Sequence, residues 1–128
     1  MQYAILCYHS EDVVCSWSKE EDAAVMTKLE GVMGGLAKAG KLGPVARLMP
    51  TTAATTLRKS QDPPVVLDGP FAETKEQLLG FYVVECQALD EALGIARDLA
   101  RCNPGGAYEI RPISYFVPGV PHSGAAKP

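Results

Sequence analysis

The order of eight regular segments constrains the fold of this 128-residue chain more than any other feature. Two segments have apolar residues at the three- and four-residue spacing of an amphipathic helix. The other six are short, and are either apolar throughout or alternate apolar and polar residues, as β-strands do. The predicted strands are Gln2–Tyr8, Gly43–Pro50, Thr55–Lys59, Pro64–Asp68, Gly80–Cys86 and Ala107–Ile113.

The first predicted helix begins after Ser18, because Ser18-x-x-Glu21 has the pattern of a capping box, and it ends at Gly40. Its apolar face consists of Val25, Met26, Leu29, Val32, Met33 and Leu36. Glycine in a helix costs up to about 1 kcal/mol relative to alanine. The three glycines inside this helix, Gly31, Gly34 and Gly35, therefore predict a close approach to the sheet.

The second predicted helix covers about Asp90 to Cys102, with Asp90 as its N-cap. Its apolar face consists of Leu93, Ala96, Leu99 and Ala100. The segment from His9 to Trp17 has no clear periodicity and is predicted to be a loop.

Without the hairpin of the third and fourth strands, the order of segments is β-α-β-β-α-β. This order predicts an α+β, ferredoxin-like fold with an inserted β-hairpin and an antiparallel sheet. Two helices cover one face of such a sheet and leave an apolar face open, which predicts a homodimer packed face to face through the open sheet face.

Composition argues against several classes of function. A net charge of −3 and a pI of about 5.3 do not favour direct binding to nucleic acid. The chain has no apolar run long enough for a membrane helix and no secretory signal pattern, so a cytoplasmic protein is expected. Four cysteines without a C-x-x-C pair and two histidines predict no metal site. No phosphate loop or dinucleotide-binding glycine pattern is present, so no cofactor is predicted.

The stretch "DGPFAETKEQLLGFYVVE", from Asp68 to Glu85, begins with the turn residues Asp68-Gly69-Pro70. It resembles the signature of the DGPF family of YCII-related proteins, as do "YAILCY", "TTLR", "DEAL" and "EIRPI" elsewhere in the chain. The resemblance implies a dimeric ferredoxin-like fold of the dimeric α/β-barrel group. It assigns residues 1–117 to a single domain, followed by a flexible tail over 118–128 that is rich in proline, glycine and alanine.

The resemblance implies two kinds of function. One is a small-molecule-binding protein or enzyme with a cleft beside the DGPF loop. The other is a non-catalytic dimeric module linked to extracytoplasmic-function sigma factors and the regulation of transcription. The histidine–aspartate pair of short family members is not carried over, because the first helix has no histidine and Asn103 stands where the aspartate is expected.

Asp68, Glu73, Arg111, Tyr8 and Tyr82 are the predicted binding residues for a small anionic or aromatic ligand. Asp68 is also a catalytic candidate, although turn formation alone explains an aspartate there. Arg111 has the planar fork that binds carboxylates, and it either binds ligand or pairs internally with Asp68 or Glu73.

His9, the second catalytic candidate, follows the first strand directly, where it is either a general base or simply a surface residue. Glu76 could share the cleft with Glu73, or both could pair with Lys75 on a solvated loop.

Overall fold

The computed structural model describes residues 1–120, so most of the predicted C-terminal tail, residues 121–128, lies outside the described residues. The fold is α+β. The strands are β1 Gln2–His9, β2 Leu42–Arg47, β3 Thr55–Arg58, β4 Val65–Asp68, β5 Gln77–Glu85 and β6 Ala107–Pro112. The helices are α1 Glu11–Cys15, α2 Lys19–Lys38 and α3 Leu89–Cys102, with a single 3-10 turn at Thr51–Ala53.

Four strands form the main sheet in the order β2-β5-β1-β6, and every neighbouring pair is antiparallel. This order is compatible with the predicted ferredoxin-like arrangement. The strands β3 and β4 form a separate two-stranded hairpin, as predicted, with Thr55 opposite Asp68. No helix within residues 1–120 combines the length and the apolar character needed to cross a membrane.

The helix α2 begins with the predicted capping box. The Ser18 hydroxyl accepts a hydrogen bond from the Glu21 amide at 3.0 Å, and the Glu21 carboxylate accepts one from the Ser18 amide at 2.8 Å. The predicted apolar face packs against the core, with Leu29 buried. The predicted close approach at Gly31, Gly34 and Gly35 is wrong, because a Cβ at any of these positions would meet no atom within 4 Å.

The helix α3 begins one residue earlier than predicted, and its N-cap is Ala88 rather than Asp90. No side chain within residues 1–120 caps the start of this helix; the Glu91 carboxylate instead accepts a hydrogen bond from the Gln87 amide, which precedes the helix, at 2.7 Å and pairs with Lys41. The buried residues of this helix are Ala92, Ile95, Ala96 and Leu99. Ala100 is exposed, so its prediction as a core residue is wrong.

The prediction of a loop between His9 and Trp17 is also wrong, because the short helix α1 lies there. The Glu11 carboxylate accepts two hydrogen bonds of 2.6 Å from Thr51, one from its amide and one from its hydroxyl. The Glu11 amide donates to the Gln77 side chain at 2.9 Å. These contacts fasten α1 to the 3-10 turn and to the start of β5.

The core lies between the helices and one face of the sheet, where Ile5, Val84 and Leu99 are fully buried. Because side chains alternate along a strand, Ala4 and Leu6 of β1 point to the opposite face, beside Val83 and Phe81 of β5. No helix within residues 1–120 packs on this open face.

Candidate functional site

A cavity of about 110 Å³ lies at the end of the core, where β1 stops. The sheet forms its floor and the helices α1 and α2 form its walls, while the loop after α3 closes one side. The main lining side chains are Cys7, Tyr8, His9, Val14, Trp17, Met26, Met33, Val45, Tyr82, Asn103 and Tyr108. Most of these are apolar, as in many small-molecule sites.

Two glycines after α3 shape one side of the cavity. Gly105 and Gly106 have positive φ angles of 89° and 73°, which glycine adopts without strain. A Cβ at Gly106 would lie 2.2 Å from the Tyr8 carbonyl oxygen, and a Cβ at Gly105 would lie 2.6 Å from His9 Nε2. The loop can therefore pack directly on the end of β1 only because both positions are glycine.

A third glycine brings β2 to the cavity. A Cβ at Gly80 would lie 2.4 Å from the Ala46 carbonyl oxygen, so β2 and β5 approach closely here. Arg47, opposite Gly80, donates two hydrogen bonds to the Asp22 carboxylate, at 2.8 and 3.2 Å. The hydrogen bonds from Arg47 hold the pKa of Asp22 below its usual value. This ion pair links β2 to the first turn of α2 at the rim of the cavity.

The Asp22–Arg47 pair also borders a second cavity of about 340 Å³. Leu48, Met49, Pro50 and Cys15 line this cavity, and Val14 and Leu79 lie on both. The second cavity is larger, but it lacks the buried polar side chains of the first. We therefore take the first as the candidate functional site.

Three titratable side chains of the site, Cys7, Tyr82 and Tyr108, are held neutral by burial. Burial raises the pKa of the Cys7 thiol to about 12 and that of the Tyr108 hydroxyl to about 12. Burial also raises the pKa of Tyr82 well above its ordinary value. A protonated thiol is a poor nucleophile, because the thiolate is the reactive form.

Two buried polar atoms at the site have no hydrogen-bond partner among residues 1–120: Asn103 Oδ1 and Tyr108 Oη. The Asn103 side chain is close enough to offset part of the rise in the pKa of Tyr108, yet the pair does not reach hydrogen-bond geometry. A buried polar group without a partner costs about 1–3 kcal/mol, and such groups are rare. These two atoms are therefore the most unusual feature of the cavity.

The ring of His9 is fixed in a particular orientation. Its Nδ1 accepts a hydrogen bond from the Ser10 amide at 2.7 Å. In a neutral ring this contact assigns the proton to Nε2, the atom that faces Gly105. Neither nitrogen then has a free lone pair, so His9 could act as a general base only by giving up its contact with Ser10.

The structure brings three of the predicted site residues to the cavity, namely Tyr8, Tyr82 and His9. Asp68, Glu73 and Arg111 line neither cavity. All three are exposed, and within residues 1–120 no ion pair joins Arg111 to either carboxylate. Their role in ligand binding stays a prediction.

The DGPF turn is fastened to the hairpin. Gly69 has a φ of 106°, which explains a glycine at this position. Its amide donates to the Ala54 carbonyl at 2.8 Å, and its carbonyl accepts from the Thr56 hydroxyl at 2.7 Å. Arg58 donates to the Phe71 carbonyl at 3.0 Å. These bonds fix the position of the turn at Gly69, and none of them involves the side chain of Asp68.

The sequence does not single out Cys7, Met26, Met33 or Arg47 as site residues, since each also fits an ordinary strand or helix. The one available signal was the Gly105-Gly106 pair directly after α3, which marks a close approach of two backbones. Within residues 1–120, no three His, Cys, Asp or Glu side chains lie close enough together to hold a metal ion.

Comparisons with known proteins give a family but no activity. The family model for the YCII-related domain matches residues 1–117. An uncharacterized protein of Rhizobium meliloti (strain 1021) is 60% identical over 120 residues, which cover 93% of this chain and 97% of that protein.

Proposed function

This chain belongs to the YCII-related domain family, and we propose that it is a small-molecule-binding protein whose ligand occupies the cavity at the end of β1. The observation that carries the proposal is an apolar cavity with two buried polar atoms that have no partner within residues 1–120. Ligand sites commonly combine an apolar lining with a few polar groups that orient the ligand.

Binding accounts for the site better than acid–base or nucleophilic catalysis does. The Cys7 thiol and the hydroxyls of Tyr82 and Tyr108 are all held protonated by burial. His9 uses Nδ1 for the Ser10 amide. A general base needs a free lone pair, and His9 would have to break its contact with the Ser10 amide to provide one.

The proposed binding unit is a homodimer joined through the open sheet face. Ala4, Leu6 and Phe81 form an apolar centre on that face. Glu109 and Arg111 lie beside it on β6, opposite Leu6 and Ala4. A two-fold axis through this face can place the carboxylate of one copy near the guanidinium of the other, so the face complements itself in charge as well as in apolar character.

The hairpin presents a second apolar surface that a partner copy could cover. It carries the exposed residues Leu57, Val66 and Leu67, and Phe71 of the following loop is 74% exposed. Such a set of apolar side chains is unusual on a monomer surface. A non-catalytic module linked to sigma factors could use the same dimer, but no contact within residues 1–120 favours that alternative.

Fragment binding followed by protein NMR tests the proposed function. An apolar cavity of about 150 Å³ accommodates benzene; this one is smaller, at about 110 Å³, but its lining residue Val45 is 40% exposed, so a ring-sized fragment can extend from it toward solvent. We expect such fragments to shift the amide signals of Cys7, His9 and Asn103. Val45→Trp should abolish these shifts, because Val45 lines the cavity and is 40% exposed, which leaves room for a larger ring to fill the space.

The matched control is Val13→Trp, since Val13 is exposed to a similar extent, at 47%, but lines neither cavity. It should bind fragments like the wild type. The proposal is wrong if the wild-type protein binds no fragment, or if Val45→Trp binds as well as Val13→Trp.

A further inference from the structure

Asn103 and Tyr108 both line the cavity, and between them they carry one buried hydrogen-bond acceptor and one buried donor. The Oδ1 atom of Asn103 can only accept. The Tyr108 hydroxyl stays protonated at physiological pH, because burial raises its pKa to about 12, and it therefore has a proton to donate. Both atoms are buried without a partner within residues 1–120.

The complement of this pair is a group that donates one hydrogen bond and accepts another. A hydroxyl and a primary amide both do so. A carboxylate accepts only and would leave Oδ1 unpaired, while an ammonium donates only and would leave the Tyr108 hydroxyl unpaired.

The charges around the cavity also disfavour an ionic ligand end. The cation that lines the cavity is Arg47, and the Asp22 carboxylate already occupies its guanidinium. A carboxylate carried to the floor of the cavity would be buried without a counter-charge, which is far more costly than burying a neutral polar group.

We propose that Asn103 and Tyr108 form a specificity pair that selects ligands with a neutral hydroxyl or primary amide end and an apolar body. This inference rests on the proposed function. The apolar body would lie against Trp17, Met26 and Met33, which line the same space. Thioether sulfurs and indole rings make favourable contacts with flat ring systems, so a ring is a suitable body for this wall.

Water is the competing occupant, because a cavity of about 110 Å³ has room for a few water molecules. The two cases differ in the ligand-free protein. If water satisfies the Tyr108 hydroxyl, Tyr108→Phe removes a hydrogen bond and lowers the melting temperature. If the hydroxyl has no partner in the ligand-free protein, Tyr108→Phe removes an unpaired buried group and leaves the melting temperature equal or higher.

Four probes of one shape test the selectivity: benzyl alcohol, benzamide, benzoate and toluene. Dissociation constants are measured by NMR titration on the wild type, Tyr108→Phe and Asn103→Leu. The wild type should bind the alcohol and the amide at least about fivefold more tightly than toluene or benzoate, as expected for two hydrogen bonds that each contribute about 0.5–1.5 kcal/mol.

Each variant should lose most of the preference for the alcohol and the amide while toluene binding stays within about twofold, because only the polar contacts are removed. Tyr115→Phe is the matched control, since Tyr115 is 84% exposed and lines neither cavity, and it should keep the wild-type preference. Tyr108→Phe removes a single oxygen, so it tests the inference even if Asn103→Leu does not fold.

The outcomes separate the two proposals. If the wild type binds none of the four probes, the proposed function fails and this inference fails with it. If toluene binds but the alcohol and amide gain nothing over it, or if benzoate binds best, the cavity is a binding site and the specificity pair is refuted. A fall in the melting temperature of Tyr108→Phe without loss of selectivity assigns the two atoms to water and also overturns the inference.

Discussion

The cysteines of this chain lie in different surroundings, and their reactivity should follow those surroundings. Cys15 is exposed, Cys86 is 3% exposed, and burial raises the pKa of Cys7 to about 12. At about pH 8 only about one Cys7 in ten thousand would be a thiolate at any moment. We expect iodoacetamide to label Cys15 first, and Cys7 and Cys86 only after unfolding, as measured by mass spectrometry of digested protein.

Denatured protein provides the control, since all thiols should then react at similar rates. The rate at which iodoacetamide labels Cys7 should also rise with pH for as long as the protein stays folded, because the thiolate fraction grows roughly tenfold per pH unit below the pKa. Labelling of Cys7 in the folded protein as fast as that of Cys15 would show that the cavity does not hold this thiol neutral.

At the scale of residues, the sequence predicts the part of the site that lies next to recognisable strand ends. Tyr8 ends the first predicted strand and His9 follows it directly, and both line the cavity. Asp68 and Arg111 were predicted as site residues from their residue types, but neither lines the cavity. The unpaired state of the Tyr108 hydroxyl depends on what surrounds it in space, and no local pattern can reveal it.

Among the elements, β2 and β5 approach so closely at Gly80 that there is no room for even one additional methyl group. Gly80→Ala would place a Cβ 2.4 Å from the Ala46 carbonyl oxygen, a backbone atom that can move only with the strand. We expect a loss of about 1–3 kcal/mol in the free energy of unfolding, the usual cost of overpacking, measured by urea denaturation. Arg47 lies opposite Gly80, so ligand binding in the cavity should weaken as well.

Gly94→Ala is the matched control, because a Cβ at Gly94 of α3 would meet no atom within 4 Å. Alanine has the higher helix propensity, so this variant should gain up to about 1 kcal/mol. Equal stability of Gly80→Ala and the wild type would mean that the two strands do not approach as closely as the structure indicates.

The elements also show where prediction from sequence works and where it stops. The four strands of the main sheet and the amphipathic face of α2 have clear periodicity, and their predicted positions agree with the structure to within a few residues. The helix α1 has five residues, which is too short for a repeat to appear. The N-cap of α3 was assigned to Asp90 because that residue type is favoured there, whereas the N-cap is Ala88, which has no side chain that can cap.

At the scale of the whole molecule, the two faces of the sheet differ in how they are covered, and the fold of one chain alone does not explain this difference. The helices bury one face of the sheet, while no helix within residues 1–120 packs on the other face and the hairpin carries exposed apolar side chains. The order of segments was enough to predict this imbalance, because two helices after alternate strands fall on one side of the sheet. The number and position of the partner copies depend on contacts that a single sequence does not contain.

The proposed homodimer is tested by the mass in solution. At micromolar concentration, light scattering should give twice the chain mass of 13.7 kDa for the wild type. Leu6→Asp should give the single-chain mass, because it places a charge at the apolar centre of the open face, where a second copy would bury it unpaired. Ala100→Asp adds the same charge on the exposed side of α3 and should stay dimeric.

A charge-reversal pair tests the orientation of the two copies and does not depend on the folding of Leu6→Asp. Arg111→Glu should weaken the dimer, because it would face Glu109 of the other copy with a like charge. The double variant Glu109→Arg with Arg111→Glu should restore the dimer, since every contact across the two-fold axis again joins opposite charges. A single-chain mass for the wild type refutes the dimer. A dimer that survives both Leu6→Asp and Arg111→Glu shows that the copies meet through another surface, with the exposed hairpin residues around Val66 as the next candidate.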